Sequence, residues 1–115
     1  MPHIRRLLFQ AEFRPALMAG TKSATIRRAS SHHVKALVPG DIVVGVDGLF
    51  TRVADGFARF EVTEIQSLRW SEITEDHLAR TCATREWYEA RYGEAVESTL
   101  WKFIGLRLIR EDLGG

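Results

Sequence analysis

Residues 56 to 68, GFARFEVTEIQSL, restrict this chain's fold more than any other stretch. Ala58, Phe60 and Val62 alternate with Arg59, Glu61 and Thr63, so an extended strand here has one apolar face and one polar face. A helix would scatter both sets. The closing segment, residues 99 to 109, also has period two, with Leu100, Ile104, Leu106 and Leu108 on one face and Trp101 and Phe103 on the other. Both of its faces are apolar, which predicts a strand covered on two sides. Shorter strands are expected at Ile4 to Phe9, Lys22 to Arg28 and Ile42 to Val46, the last launched by the turn chemistry of Pro39-Gly40-Asp41.

Helices are expected between these strands. Glu12 to Ala19 tolerates Pro15 in its first turn and ends at Gly20. Thr74-Glu75-Asp76 places a capping hydroxyl and two acids at the positive end of a helix reaching about Thr81, and a second helix runs from Thr84 through Trp87-Tyr88 to Tyr92 before Gly93. Asp47-Gly48 and Asp55-Gly56 are hairpin-type dipeptides that bound a loop or a short paired excursion, and residues 29 to 38 form a polar loop. The order of elements predicts an α+β fold whose strands form a mainly antiparallel β-barrel with short helices at its flanks. The spacing of successive strands argues against parallel crossovers.

With 115 residues and 45% hydrophobic content, residues 1 to 115 are expected to form a single domain with one core. No apolar run suits a signal peptide or a membrane span, and Cys82, the only cysteine, excludes an internal disulfide. A soluble cytoplasmic protein is expected, with no membrane association. Residues 1 to 40 carry seven Lys/Arg against one acid, whereas residues 41 to 115 carry nine against fourteen. Either the first third meets an anionic partner, nucleic acid or nucleotide, or folding interleaves the two halves and the charges cancel.

The basic third contains GTKSATIRR, residues 20 to 28. A phosphate-binding loop would need a second glycine where Pro15 stands, and a helix to follow; Ala24-Thr25-Ile26-Arg27 suits a strand instead. Gly20 therefore ends a helix, and Lys22 serves something else. Strict alternation would put Lys22 and Thr25 on opposite faces, so their convergence requires Lys22 to lie in the turn before the strand or at a bulge. The plainer alternative makes Lys22 a solvated charge, Thr25 a β-former and Arg27 a cross-strand partner of Glu61.

Phe13 and Ala16-Leu17-Met18-Ala19-Gly20, then Thr21 to Arg27, Pro39-Gly40-Asp41, Phe60-Glu61-Val62, Glu75 to Ala79 and the closing Trp-x-Phe-x-x-x-x-Leu-Ile strand together resemble the ASCH domains. The GTKSATIR stretch is similar to their G-x-K-x-x-T-x-R signature. That resemblance, over residues 9 to 109, implies the PUA-like barrel of RNA-binding modules. It also implies a ligand site at Lys22, Thr25, Arg27 and Arg28 for RNA or for a plain or modified nucleoside or nucleotide; no cofactor or metal is expected.

Some ASCH proteins are amidohydrolases that deacetylate N4-acetylcytidine through a lysine, a threonine and a helix glutamate. Carried over by position, the resemblance makes Lys22 the base and Thr25 the nucleophile, while the glutamate's place falls at about Thr81 or Cys82 and no acid occurs between Asp76 and Glu86. Without a carboxyl group the leaving amine lacks a proton donor; Glu61, Glu64 and Glu75 are the acids to consider as substitutes. A metal-assisted ribonuclease is disfavoured because no compact carboxylate cluster adjoins the basic segment. His32-His33, without a third ligand nearby, reads as loop, and Cys82 with His77 as buried packing. Trp87, Tyr88 and Trp101 read as core or barrel-mouth aromatics.

Overall fold

A computed structural model describes residues 4–48 and 51–110. Five strands, β1 (Ile4–Leu8), β2 (Ala24–Arg28), β3 (Ile42–Val46), β4 (Ala58–Arg69) and β5 (Leu100–Ile109), form one sheet in the order β1-β3-β4-β5-β2. Three pairings are antiparallel, and β1 with β3 is parallel. The parallel pair departs from expectation because the chain between β1 and β3 contains a helix, β2 and a loop, which together make a long enough crossover. The expected barrel is not closed either. β1 and β2 are the two ends of the sheet, and no backbone ladder joins them.

Alternation places the core on both faces. Ile104 and Leu106 of β5 join Leu7, Phe9, Leu17, Val34, Leu37, Val43, Phe60 and Val62 in one cluster. Trp101 and Phe103 of the same strand pack with Ala24, Ile26, Trp70, Ile73, Leu78, Tyr88 and Val96 in a second. The β4 register shifts between Val62 and Glu64, a bulge that interrupts the period-two pattern midway along this strand. Loop residues Val34 and Leu37 are buried, so the segment 29 to 38 is less solvated than its polar sequence suggests.

Four short helices flank the sheet: α1 (Arg14–Ala19), α2 (Glu75–Thr81), α3 (Arg85–Tyr92) and α4 (Ala95–Ser98). A 3₁₀ turn, Ala11–Phe13, leads into α1, and Pro15 stands in its first turn as expected. Thr74 and Thr84 cap α2 and α3, their hydroxyls accepting from the His77 and Trp87 N–H groups at 3.2 and 3.0 Å. Gly20 ends α1 with φ 81°, left-handed backbone that glycine adopts without strain. Cys82 takes the corresponding position after α2 with φ 59°, and it is exposed, contrary to the expected burial. The left-handed turn carries its side chain off the helix's buried face. Among the described residues no helix is long and apolar enough to cross a membrane.

Candidate functional site at the open seam

The unpaired ends of the sheet make the site. Where a β1–β2 ladder would close a barrel, a side chain spans the gap: Arg27, on β2, donates from Nη2 to the Leu8 carbonyl of β1 at 2.7 Å. Its Nε donates to the Thr25 hydroxyl at 3.0 Å, and its guanidinium lies over the Phe9 ring, 5.0 Å from the centroid. Beside this staple a cleft of about 300 Å³ opens. Leu8, Phe9 and Phe13 line one side, Thr25, Ile26 and Arg27 another, and Trp87, Tyr88, Arg91 and Tyr92 of α3 a third, with Lys22 and His33 and also Arg6, Gln10, Val46 and Gly48 contributing.

Lys22 reaches this cleft because it precedes β2. Its N–H donates to the Ala16 carbonyl at 3.0 Å, and the next residue is clamped to α2: Ser23 N–H donates to the Arg80 carbonyl at 2.9 Å. Arg80 in turn donates to the Ser23 hydroxyl at 3.0 Å and carbonyl at 3.2 Å, and forms an ion pair with Glu64 at 2.6 Å. Held in this turn, Lys22 escapes the strand's alternation, and Lys22 and Thr25 line the same cleft despite their odd spacing.

Lys22 and Thr25 are each 4% exposed. The Lys22 Nζ donates to the Thr81 carbonyl at 2.6 Å and lies 4.8 Å from the Phe13 ring centroid. Burial, and secondarily the Arg27 charge, push its pKa from 10.5 down to about 7, against a smaller opposing effect of Cys82. Burial also lowers the Arg27 pKa and raises that of Tyr88. A guanidinium starts so high that Arg27 stays charged, whereas Lys22 shares its proton with water near neutrality.

Other sequence candidates lie elsewhere. Arg28 does not itself line the cleft, but its guanidinium lies over the ring of the lining residue Tyr92, 4.9 Å from the centroid. Glu61 pairs with Arg107 on the neighbouring strand rather than with Arg27, Glu64 is held by Arg80, and Glu75 faces Arg85. No carboxylate among the described residues lines the cleft, and no three His, Cys, Asp or Glu side chains gather to hold a metal. Trp101 is wholly buried, but Trp87 and Tyr88 reach the cleft wall, as does His33 of the histidine pair.

Sequence reasoning missed Phe13, Arg91 and Tyr92 as lining residues, and Arg80 as the clamp on the turn. Trp87, Tyr88, Arg91 and Tyr92 recur at helical spacing, a pattern that marks one side of α3 as aromatic and cationic.

The fold superposes on solved structures of low sequence identity. The protein PH0355, described as hypothetical, gives a TM-score of 0.72 with 15% identity, covering 93% of this chain and 100% of its own. An ASCH domain from Lactobacillus crispatus gives 0.67 at 12% identity, covering 91% of this chain and 79% of its own. The S128A mutant of the Zymomonas mobilis ASCH protein gives 0.71 at 12%, covering 93% and 71%. The chain has the ASCH-domain fold. No family model matches the sequence, and no curated protein matches it. In this fold Lys22, Thr25 and Arg27 lie together on the seam.

Proposed function

We propose that the seam cleft binds the base and phosphate of a nucleotide, free or within RNA. The observation that carries this reading is the lining: Lys22, Arg27 and Arg91 stand among Phe9, Phe13, Trp87 and Tyr92 with no carboxylate between them. Aromatic rings give a base stacking surfaces, and guanidinium groups present planar forks to phosphate or base carbonyl oxygens. The cleft's volume lies at the low end of the range for small-ligand sites, which suits one nucleoside rather than a dinucleotide. Thr25 faces the ligand from β2, and Arg28 backs the wall through its stacking on Tyr92.

Titration with a nucleoside monophosphate and a short single-stranded RNA across a salt series tests the reading. Affinity should fall as salt rises; binding indifferent to salt, or none at millimolar ligand, refutes it.

A second reading, hydrolysis of N4-acetylcytidine or a related acylated pyrimidine, is favoured by one observation: Lys22 is poised near pH 7 to act as a base. In that scheme the Thr25 hydroxyl attacks the acetyl carbonyl while Lys22 takes its proton. The leaving amine still needs a proton donor, and the cleft offers no carboxyl group, so binding is the better-supported function. Release of cytidine from N4-acetylcytidine by the wild type but not by Lys22→Met would reverse this ranking.

A further inference from the structure

The chain has thirteen arginines and three lysines, and one of those three lysines lies at the most buried cationic position of the cleft. For holding phosphate an arginine would serve better, since its charge is permanent and its donors form a fork. A lysine differs chemically in one respect that matters here: it can become a neutral amine with a lone pair.

The surroundings favour that neutral form. An ammonium carries three N–H donors, yet among the described residues Lys22 finds a single hydrogen-bond acceptor, the Thr81 carbonyl. The Phe13 ring face lies beside it and the Arg27 charge acts on it, and among the described residues it forms no ion pair with an acid. The groups coupled to this amine from the elements around it are Arg27 on β2 and Cys82 beyond α2, with the protonated Tyr88 phenol on α3 beside them. A neutral amine needs only the one acceptor for an N–H and leaves its lone pair available to the cleft. The depressed pKa is the consequence.

A desolvated lysine beside a fixed cation is the arrangement that turns an amine into a nucleophile for carbonyl carbon. We propose that Lys22 captures a small planar aldehyde bearing an anionic group as an imine, with Arg27 holding the anion and the ring lying against the cleft wall that Trp87 and Tyr92 help to form. The Nζ lone pair adds to the carbonyl carbon to give a carbinolamine, which loses water to leave a C=N bond. No oxidant or reductant is needed, and hydrolysis reverses the step. The proposal requires only the amine and its neighbouring cation, so it stands or falls separately from nucleotide binding.

The test uses the full chain with stoichiometric pyridoxal 5′-phosphate as the probe, borohydride reduction and peptide mapping by mass spectrometry. Lys35 is exposed, and Lys102 donates to the Val34 and Lys35 carbonyls at 3.2 and 3.0 Å, so the chain contains its own controls. An ordinary lysine is neutral to roughly one part in a thousand or less near pH 7, whereas Lys22 is neutral in about half the molecules. The reduced adduct should therefore sit on Lys22 in at least about ten-fold excess over either other lysine, even allowing for burial. Imine formation should rise with pH through about 7, and Arg27→Ala should lower capture of the phosphorylated aldehyde more than that of pyridoxal. Adduct on Lys35 equal to or above that on Lys22, or an unmodified Lys22, overturns the proposal.

Discussion

The buried amine makes a claim about stability that needs no ligand. In the folded chain the Lys22 pKa is about 7; in the unfolded chain it returns towards 10.5. Between those values the unfolded state holds a proton that the folded state has released, so stability rises with pH across this window, and the full penalty of the buried charge applies below it. Integrating over both protonation equilibria gives a gain of roughly 2 kcal/mol between about pH 7 and pH 9. Urea unfolding of the wild type and of Lys22→Met, followed by tryptophan fluorescence over that range, isolates the effect. Methionine keeps the side chain's length without its charge, leaving the Thr81 carbonyl unpaired at a loss of about 1–3 kcal/mol. Near pH 6 relief of the charge should outweigh that loss and the variant should be the more stable, whereas by about pH 9 its advantage should be gone. Parallel stability profiles for the two proteins would refute the reasoning, because they would mean that Lys22 titrates alike in both states.

Arg27→Ala removes the staple to Leu8 and the hydrogen bond to Thr25; nucleotide affinity, measured by calorimetry, should fall at least about ten-fold, and the salt slope for an RNA ligand should shrink by about one. In Gly56→Ala the added Cβ would sit 2.1 Å from Val44 Cγ1 and 2.9 Å from the Gly45 carbonyl oxygen, so chemical denaturation should show a loss of about 1–3 kcal/mol. Trp101→Phe deletes the indole N–H that reaches the Val96 carbonyl at 2.9 Å in the core; a loss of roughly 2–3 kcal/mol should appear as a lowered melting temperature.

Much of the architecture was legible because period-two alternation and capping chemistry are local. Trp101 and Phe103 against Leu106 and Leu108 gave the two-sided burial of β5, and Thr74, Thr84, Gly20 and Gly93 marked helix ends within a residue of where they lie. The convergence of Lys22 with Thr25 was also legible, as a condition that the turn had to meet. What was lost depends on pairing between distant segments. No local signal says that β1 runs parallel to β3, or that the sheet stops short of closure so that Arg27 must bridge its ends. The bulge at Thr63 lies hidden inside a regular pattern, and the exposure of Cys82 follows from a left-handed turn that a cysteine seldom takes.

The position of β2 also bears on the order of folding. Its backbone ladder is made with β5 alone, Ala24 opposite Gly105 and Arg28 opposite Trp101, some eighty residues later in the chain. On a ribosome the segment bearing Lys22 and Arg27 therefore waits without a strand partner until nearly all of residues 4 to 109 have emerged, while β1, β3 and β4 can already pair. Such late closure of a long loop slows folding and leaves an apolar edge exposed meanwhile. Ligand binding at the seam should thus be among the last properties a nascent chain acquires, and its appearance would report that β5 has docked.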